Sequence, residues 1–274
     1  MSLRQRIATS PMARVAAFPG RARMVARHDV GVLRNSARWL VKSREHTNFT
    51  YDLQPLNREH LAWWVANAAG TPVSVVRDYI DEADHDADLI EHVLAATRVS
   101  DRRGLADDEV RLGKRLGWYA LVRAMRPSHV VETGTDKGLG SVVLAAALLR
   151  NGSGRLTTVD VNSASGYLIT GRYAAVTDRV VGDSLAVLAE LVAPVDLFLH
   201  DSLHTREHEY AEFEAVEERL ARGAVVLSDN SHVTDALPSW AEKTGRSFTY
   251  WHEWPASHWY PGSGIGLAQF VAPE

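Results

Sequence analysis

Residues 129–141 read HVVETGTDKGLGS. The apolar pair Val130-Val131 ends in a carboxylate, Glu132, and opens into a turn carrying Gly134 and Gly138. Small and branched apolar residues follow from Val142 to Leu149. A strand, a tight loop and a helix N-terminus in that order bring backbone N–H groups against a small polar ligand. The spacing Gly134, Gly138, Gly140 is Gly-x-x-x-Gly-x-Gly, which differs from the Gly-x-Gly-x-x-Gly of dinucleotide sites.

Downstream of this stretch, apolar runs at 155–160, 179–183, 195–200 and 223–228 alternate with helical patterns. That order demands a mostly parallel sheet with right-handed crossovers. Phe248–Trp251 and Ile265–Val271 read as a pair of strands joined by an aromatic loop, an antiparallel edge. The fold class is therefore α/β. Upstream, the patterns are helical: 58–69 with Asn57 as its cap, a helix opened by Thr71-Pro72 and running to about Glu82, and a third near 87–97. Another is expected from Asp107 or Asp108 to Met125. The charged link RVSDRRGLA at 98–106 divides the chain into 1–106, a basic arm with a helical auxiliary domain, and 107–274, the α/β domain.

The composition is that of an ordinary globular protein, 46% hydrophobic and 23% charged. With a formal net charge of −4, no general affinity for nucleic acid or anionic membrane is expected. There is no cysteine, which excludes disulfides, thiolate metal sites and cysteine nucleophiles. No apolar run approaches the roughly 18 residues needed to span a bilayer, and a cytoplasmic location is expected. The first 44 residues are exceptional, with Arg4, Arg6, Arg14, Arg21, Arg23, Arg27, Arg34, Arg38, Lys42 and Arg44 against the single acid Asp29. Such a start is either a basic arm packing on an acidic body or an organelle transit segment.

Glu132, Asp160, Asp183, Asp201 and Asp229 each fall at or just past the carboxyl end of a successive expected strand. Open α/β sheets bind ligands along that edge. One such acid is often only a helix cap, but five in phase imply a site. Together with the glycine loop, this pattern resembles motif I and the following acids of class I S-adenosylmethionine (SAM) methyltransferases, over roughly residues 108–274. The resemblance implies a Rossmann-like methyltransferase sheet and a SAM site made from Glu132, Gly134, Thr135, Asp136, Gly138, Asp160, Asp183, Ser184 and Asp201. Asp160 would accept from the ribose hydroxyls, Asp183-Ser184 would lie by the adenine, and Glu132 would orient the loop or meet the amino group of the methionine part.

Asp201, Asp229 and Asn230 are hard oxygen ligands suited to Mg²⁺. They resemble the metal set of catechol and caffeoyl-CoA O-methyltransferases. Those enzymes have a catalytic lysine three residues after the first aspartate, where this chain has His204. Macrolide-sugar O-methyltransferases resemble this variant, with histidine as base and an added N-terminal domain. The expected function is thus Mg²⁺-dependent methyl transfer to a hydroxyl of a small natural product, a sugar or a phenol, with His204 as general base. His200 and His232 are rival bases, and N-methylation of an amino sugar or a non-catalytic SAM-binding role are the alternatives. The aromatic stretch Tyr250–Pro261 and the segment Thr47–Asp52, with Phe49 and Tyr51, are candidates for the substrate wall, and a homo-oligomer is compatible with both.

Overall fold

The computed structural model describes residues 12–45 and 50–270. Arg4, Arg6, Thr47–Phe49 and Val271 lie outside the described residues. The chain forms two compact units, 12–43 with Ser257–Pro261, and 44–256 with 262–270.

The first unit is one long helix, α1 (Met12–Lys42), which carries Pro19 within it. Near its end Trp39 packs on Trp259, with ring centroids 5.3 Å apart, and Asn35 donates to the His258 carbonyl at 3.2 Å.

The second unit begins with α2 (Pro55–Ala69), α3 (Val73–Asp84), α4 (Ala87–Val99) and α5 (Arg115–Met125). Strands and helices then alternate as β1 (His129–Thr133), α6 (Leu139–Asn151), β2 (Arg155–Asp160), a short α7 (Gly171–Ala174), β3 (Thr177–Val181), α8 (Ser184–Glu190), β4 (Val195–His200), α9 (Arg206–Glu217) and β5 (Leu220–Ser228). The chain finishes with α10 (Ala236–Thr244), β6 (Ser247–His252) and β7 (Gly264–Gln269). The seven strands form one sheet in the order β3-β2-β1-β4-β5-β7-β6. β1 to β5 are parallel, and β7 runs antiparallel to both β5 and β6. The α/β class and the antiparallel edge are as expected.

One face of the sheet is sealed by α9 and α10, whose Phe213, Val216, Trp240 and Leu237 pack on Phe198, Val226 and Val131. Each large ring buried this way contributes roughly 1.5–3 kcal/mol. α6 lies against β2 and packs on α5, and α2 and α3 pack on α5. The compact unit thus starts at Arg44 and includes the helices of 55–99, whereas the sequence boundary falls at 106/107.

Several local expectations give way to tertiary partners. Asn57 does not cap α2, which starts earlier on Pro55. Its buried amide instead donates to the His252 carbonyl at 2.8 Å and accepts from Trp254 N at 2.7 Å. Thr71 does not cap α3 either, where Pro72 stands at that position. Asp107 and Asp108 are not helix caps. They engage Arg44, and α5 starts only at Arg115. Leu220, which helical spacing over Thr205–Leu220 would put on the inner face of α9, opens β5. The inner face of α9 carries Glu209 and Glu212 beside Phe213 and Val216, with Tyr210 only half-buried.

Candidate functional site

The strands end in step. Gly134 N donates to the Val159 carbonyl, Asp201 N to the Thr133 carbonyl and Asp229 N to the His200 carbonyl, all at 2.8–2.9 Å. The ladder therefore continues one residue past β1, β4 and β5 and sets Asp201 and Asp229 side by side. Gly134 has φ +92°, and a Cβ there would lie 1.9 Å from the Asp201 carbonyl oxygen. Glycine is needed because the chain leaving β4 passes against it.

A cavity of about 790 Å³ opens on this edge. Glu132, Gly134, Thr135, Asp136, Asp160, Asp183, Ser184, Asp201, His204 and Asn230 all line it. Two expected residues do not. Gly138 starts α6 away from the wall, close to Ile169 and Gly166, and Asp229 lies buried beneath the floor. Asp160 accepts from Asp136 N at 2.9 Å and from Asn162 N at 2.8 Å, so it organises the glycine loop as well as facing the cavity. Asp183 caps α8 through Ala186 N at 3.0 Å while its residue lines the wall.

Glu132 is fully buried, accepts from Thr158 Oγ1 at 2.7 Å and is also bonded by Ser141. Burial pushes its pKa up to about 8, aided by the charge of Asp201 and opposed by those hydroxyls and by Arg115. Arg115 and Lys137 also line the cavity, adding cationic groups that the sequence reading did not single out.

At the deep end, ligand atoms of Asp201, His204 and Asp229 lie within 4.8 Å of one another. His204 Nε2 is 3.7 Å from Asp201 Oδ1 and 3.0 Å from Asn230 Nδ2. Burial works against the imidazolium, but the charges of Asp201 and Asp229 beside it hold the His204 pKa above its ordinary value. Asn230 has φ +51°, a left-handed conformation that asparagine tolerates better than most residues.

Lys114 is a third cation that sequence reasoning missed. Its buried ammonium donates to Asp229 Oδ2 at 2.7 Å, Asn230 Oδ1 at 3.1 Å and Ser263 Oγ at 3.0 Å, with Glu253 Oε1 at 4.0 Å. Although burial opposes it, the charges of Asp229, Glu253 and Asp201 raise its pKa, so it stays protonated. Asn230 is thereby turned with its oxygen toward Lys114 and its NH₂ toward His204. Asp229 Oδ1 is buried with no hydrogen-bond partner. Nothing in LGKRLG (112–117) marks this lysine, which finds Asp229 across 115 residues of chain.

Neither rival base lines the cavity. His200 is fully buried and bonded to Glu212 at 2.7 Å. Glu212 also accepts from Thr133 at 2.7 Å and Ser202 at 2.8 Å, and His208 lies 3.0 Å away. Burial alone would raise the Glu212 pKa, but His200 and the surrounding hydroxyls hold it down to about 2. This network supports the floor from below. His232 is exposed, and partial burial with the charge of Lys114 lowers its pKa.

The aromatic stretch is split. Tyr250–His252 belong to β6, Glu253 is buried under Tyr51 Oη at 2.5 Å, and Ser257–Pro261 belong to the first unit. Of Thr47–Asp52 only Thr50, Tyr51 and Asp52 are among the described residues.

Residues 131–231 match the family model described as a methyltransferase domain. Among solved structures, cofactor-bound Rv0187 from MTB is similar at TM-score 0.53 and 20% identity, over 71% of this chain and 95% of that one. The O-methyltransferase TomG from Streptomyces achromogenes, involved in tomaymycin synthesis and solved with SAM, is similar at TM-score 0.52 and 21% identity, over 66% and 90%. The SAH-bound Podospora anserina methyltransferase PaMTH1 gives 0.51 and 14%, over 72% and 94%. No significant match to a curated protein was found.

Proposed function

We propose that this chain, whose residues 131–231 match a methyltransferase domain, is a class I SAM-dependent methyltransferase that methylates a hydroxyl of a small natural product, a sugar in preference to a phenol. The observation that carries this reading is the juxtaposition of Asp201, His204 and Asp229 at the deep end of the cavity that holds the glycine loop. SAM supplies an already activated methyl group, so the protein has to align acceptor oxygen, methyl carbon and sulfur and remove a proton from the oxygen. The titrating group in reach is His204, and proton transfer to its Nε2 displaces the Asn230 N–H that this atom accepts here. Glu132 takes the ammonium of the methionine part, and Asp160 the ribose hydroxyls.

The donor set fits a divalent cation. Asp201 is half-buried and faces the cavity, and the unpartnered Asp229 Oδ1 is a buried oxygen with a free lone pair. Asn230 fits less well than its position in the sequence suggests, because its oxygen is engaged by Lys114. When bound there, Mg²⁺ would acidify a substrate hydroxyl. Lys114 holds Asp229 ionised and fixed, and His204 accepts the proton.

The reading is tested by calorimetric titration with S-adenosylhomocysteine, followed by turnover on hydroxylated acceptors with and without chelator. Binding of the nucleoside, chelator-sensitive O-methylation and a silent His204→Ala variant are expected. Failure to bind the nucleoside would remove the reading, and methylation at nitrogen would reassign the acceptor.

A further inference from the structure

The net charge of the chain conceals a local excess. Within α1 the basic residues Arg14, Arg21, Arg23, Arg27, Arg34, Arg38 and Lys42 face one acid, Asp29. At 100° per residue, Val15, Ala22, Ala26, Val30, Leu33 and Leu40 fall on one stripe of the helix. The stripe is open to solvent, with Val15 66%, Val30 53%, Leu33 67% and Leu40 73% exposed. Arg23, Arg27, Arg34 and Arg38 border it on one side, and Arg14 and Arg21 lie beyond its other side. Asn35 and Trp39, which meet the Ser257–Pro261 loop, occupy a different face.

We propose that α1 lies on an anionic lipid surface, with this stripe in the acyl boundary and the guanidinium groups on the lipid phosphates. The helix is about 46 Å long, and no helix among the described residues is long and apolar enough to cross a membrane. A long helix of low overall hydrophobicity, with an apolar stripe and basic flanks, is suited to the interface plane. Arg side chains on both sides can bend their stems along the apolar surface and keep their charge at the headgroups. A second copy of the helix is disfavoured because the same arginines would border the seam from both chains. A protein groove is disfavoured because the arginines run in rows along the length of the helix, which matches the spread charge of a lipid surface rather than a single pocket. Phe18, 64% exposed, lies beside the stripe and enters the acyl boundary with it.

The test is co-sedimentation of the full chain with vesicles of phosphatidylglycerol and phosphatidylcholine, against vesicles of phosphatidylcholine alone. Binding to the anionic vesicles only is expected, weakening as salt rises. Each replacement among Arg23→Gln, Arg27→Gln, Arg34→Gln and Arg38→Gln should cut partitioning about five-fold. Leu33→Asp with Leu40→Asp should abolish it while nucleoside binding, a check on the folded body, is kept. Binding to neither vesicle, equal binding to both, or binding that survives the four arginine replacements overturns the proposal. Self-association in the absence of lipid that Leu33→Asp removes would assign the stripe to a second copy, and overturns it too.

Discussion

Glu132 makes cofactor binding pH-dependent in a direction that can be worked out in advance. The carboxyl is 1% exposed and its pKa is pushed up to about 8, so at neutral pH it is mostly protonated before the cofactor's ammonium arrives. Pairing with the ammonium of the methionine part requires the carboxylate. At pH 6 about one molecule in a hundred is ionised and at pH 8 about half, so affinity should rise roughly fifty-fold, or about 2 kcal/mol, across that interval. The same shift acts on stability with a fixed sign. A carboxyl whose folded pKa lies above its unfolded value near 4.5 stabilises the fold fully below that value. The contribution is lost as pH climbs toward 8. Titration calorimetry with S-adenosylhomocysteine between pH 6 and 8, in buffers of different ionisation enthalpy, should show the rising affinity and release of up to one proton. Glu132→Gln should flatten both. Affinity independent of pH without proton release, or a slope that persists in Glu132→Gln, would refute the pairing of this carboxylate with the ammonium.

His204→Ala should lose at least ~100-fold in turnover with nucleoside affinity unchanged; turnover like that of the wild type would remove it as base. Asp201→Asn should weaken Mn²⁺ binding, read by electron paramagnetic resonance, at least ten-fold, since a carboxylate is a far better ligand for a hard cation than an amide. Equal Mn²⁺ affinity in the two proteins sinks the metal assignment. Lys114→Met strands Asp229 and Glu253 as buried carboxylates without their ammonium and should cost ~3–5 kcal/mol in urea denaturation. A loss below ~1 kcal/mol would mean that Asp229 is neutral in the native chain. Gly134→Ala brings a methyl to 1.9 Å from the Asp201 carbonyl oxygen at φ +92° and should cost more than about 4 kcal/mol. An unchanged urea midpoint would show that the chain after β4 can move aside.

What was legible in the sequence, and what was not, divides along a physical line. An apolar run ending in an acid is a local event, since the strand forms from its own residues and delivers the acid to the sheet edge wherever the strand is placed. Glu132, Asp160 and Asp201 could therefore be located before any packing was known, and so could the antiparallel edge, whose strands read as runs of their own. Caps are local as well, but they compete with partners that are not. Asn57 carries a cap's chemistry and spends it on the backbone of β6 and the turn after it. Asp107 and Asp108 spend theirs on Arg44. Buried charge is the extreme case. Lys114 in Leu-Gly-Lys-Arg has the appearance of a surface residue, and Glu253 lies within an aromatic run. Each becomes tolerable inside only because the other, with Asp229 and Ser263, arrives from another element. Removing a charge from water costs several kcal/mol, so such groups are interior only as a set, and a set drawn from α5, β5 and the β6–β7 turn has no signature in any one stretch. The same reasoning explains Glu209 and Glu212 on the inner face of α9. Helical periodicity puts apolar residues there. Two carboxylates take their place because Ser228, Thr234, Thr133, Ser202 and His200 meet them at the ends of three strands and in the loops beyond. The polar floor beneath His204 and Asp201 is thus a product of the sheet order, which brings β1, β4 and β5 together under one helix.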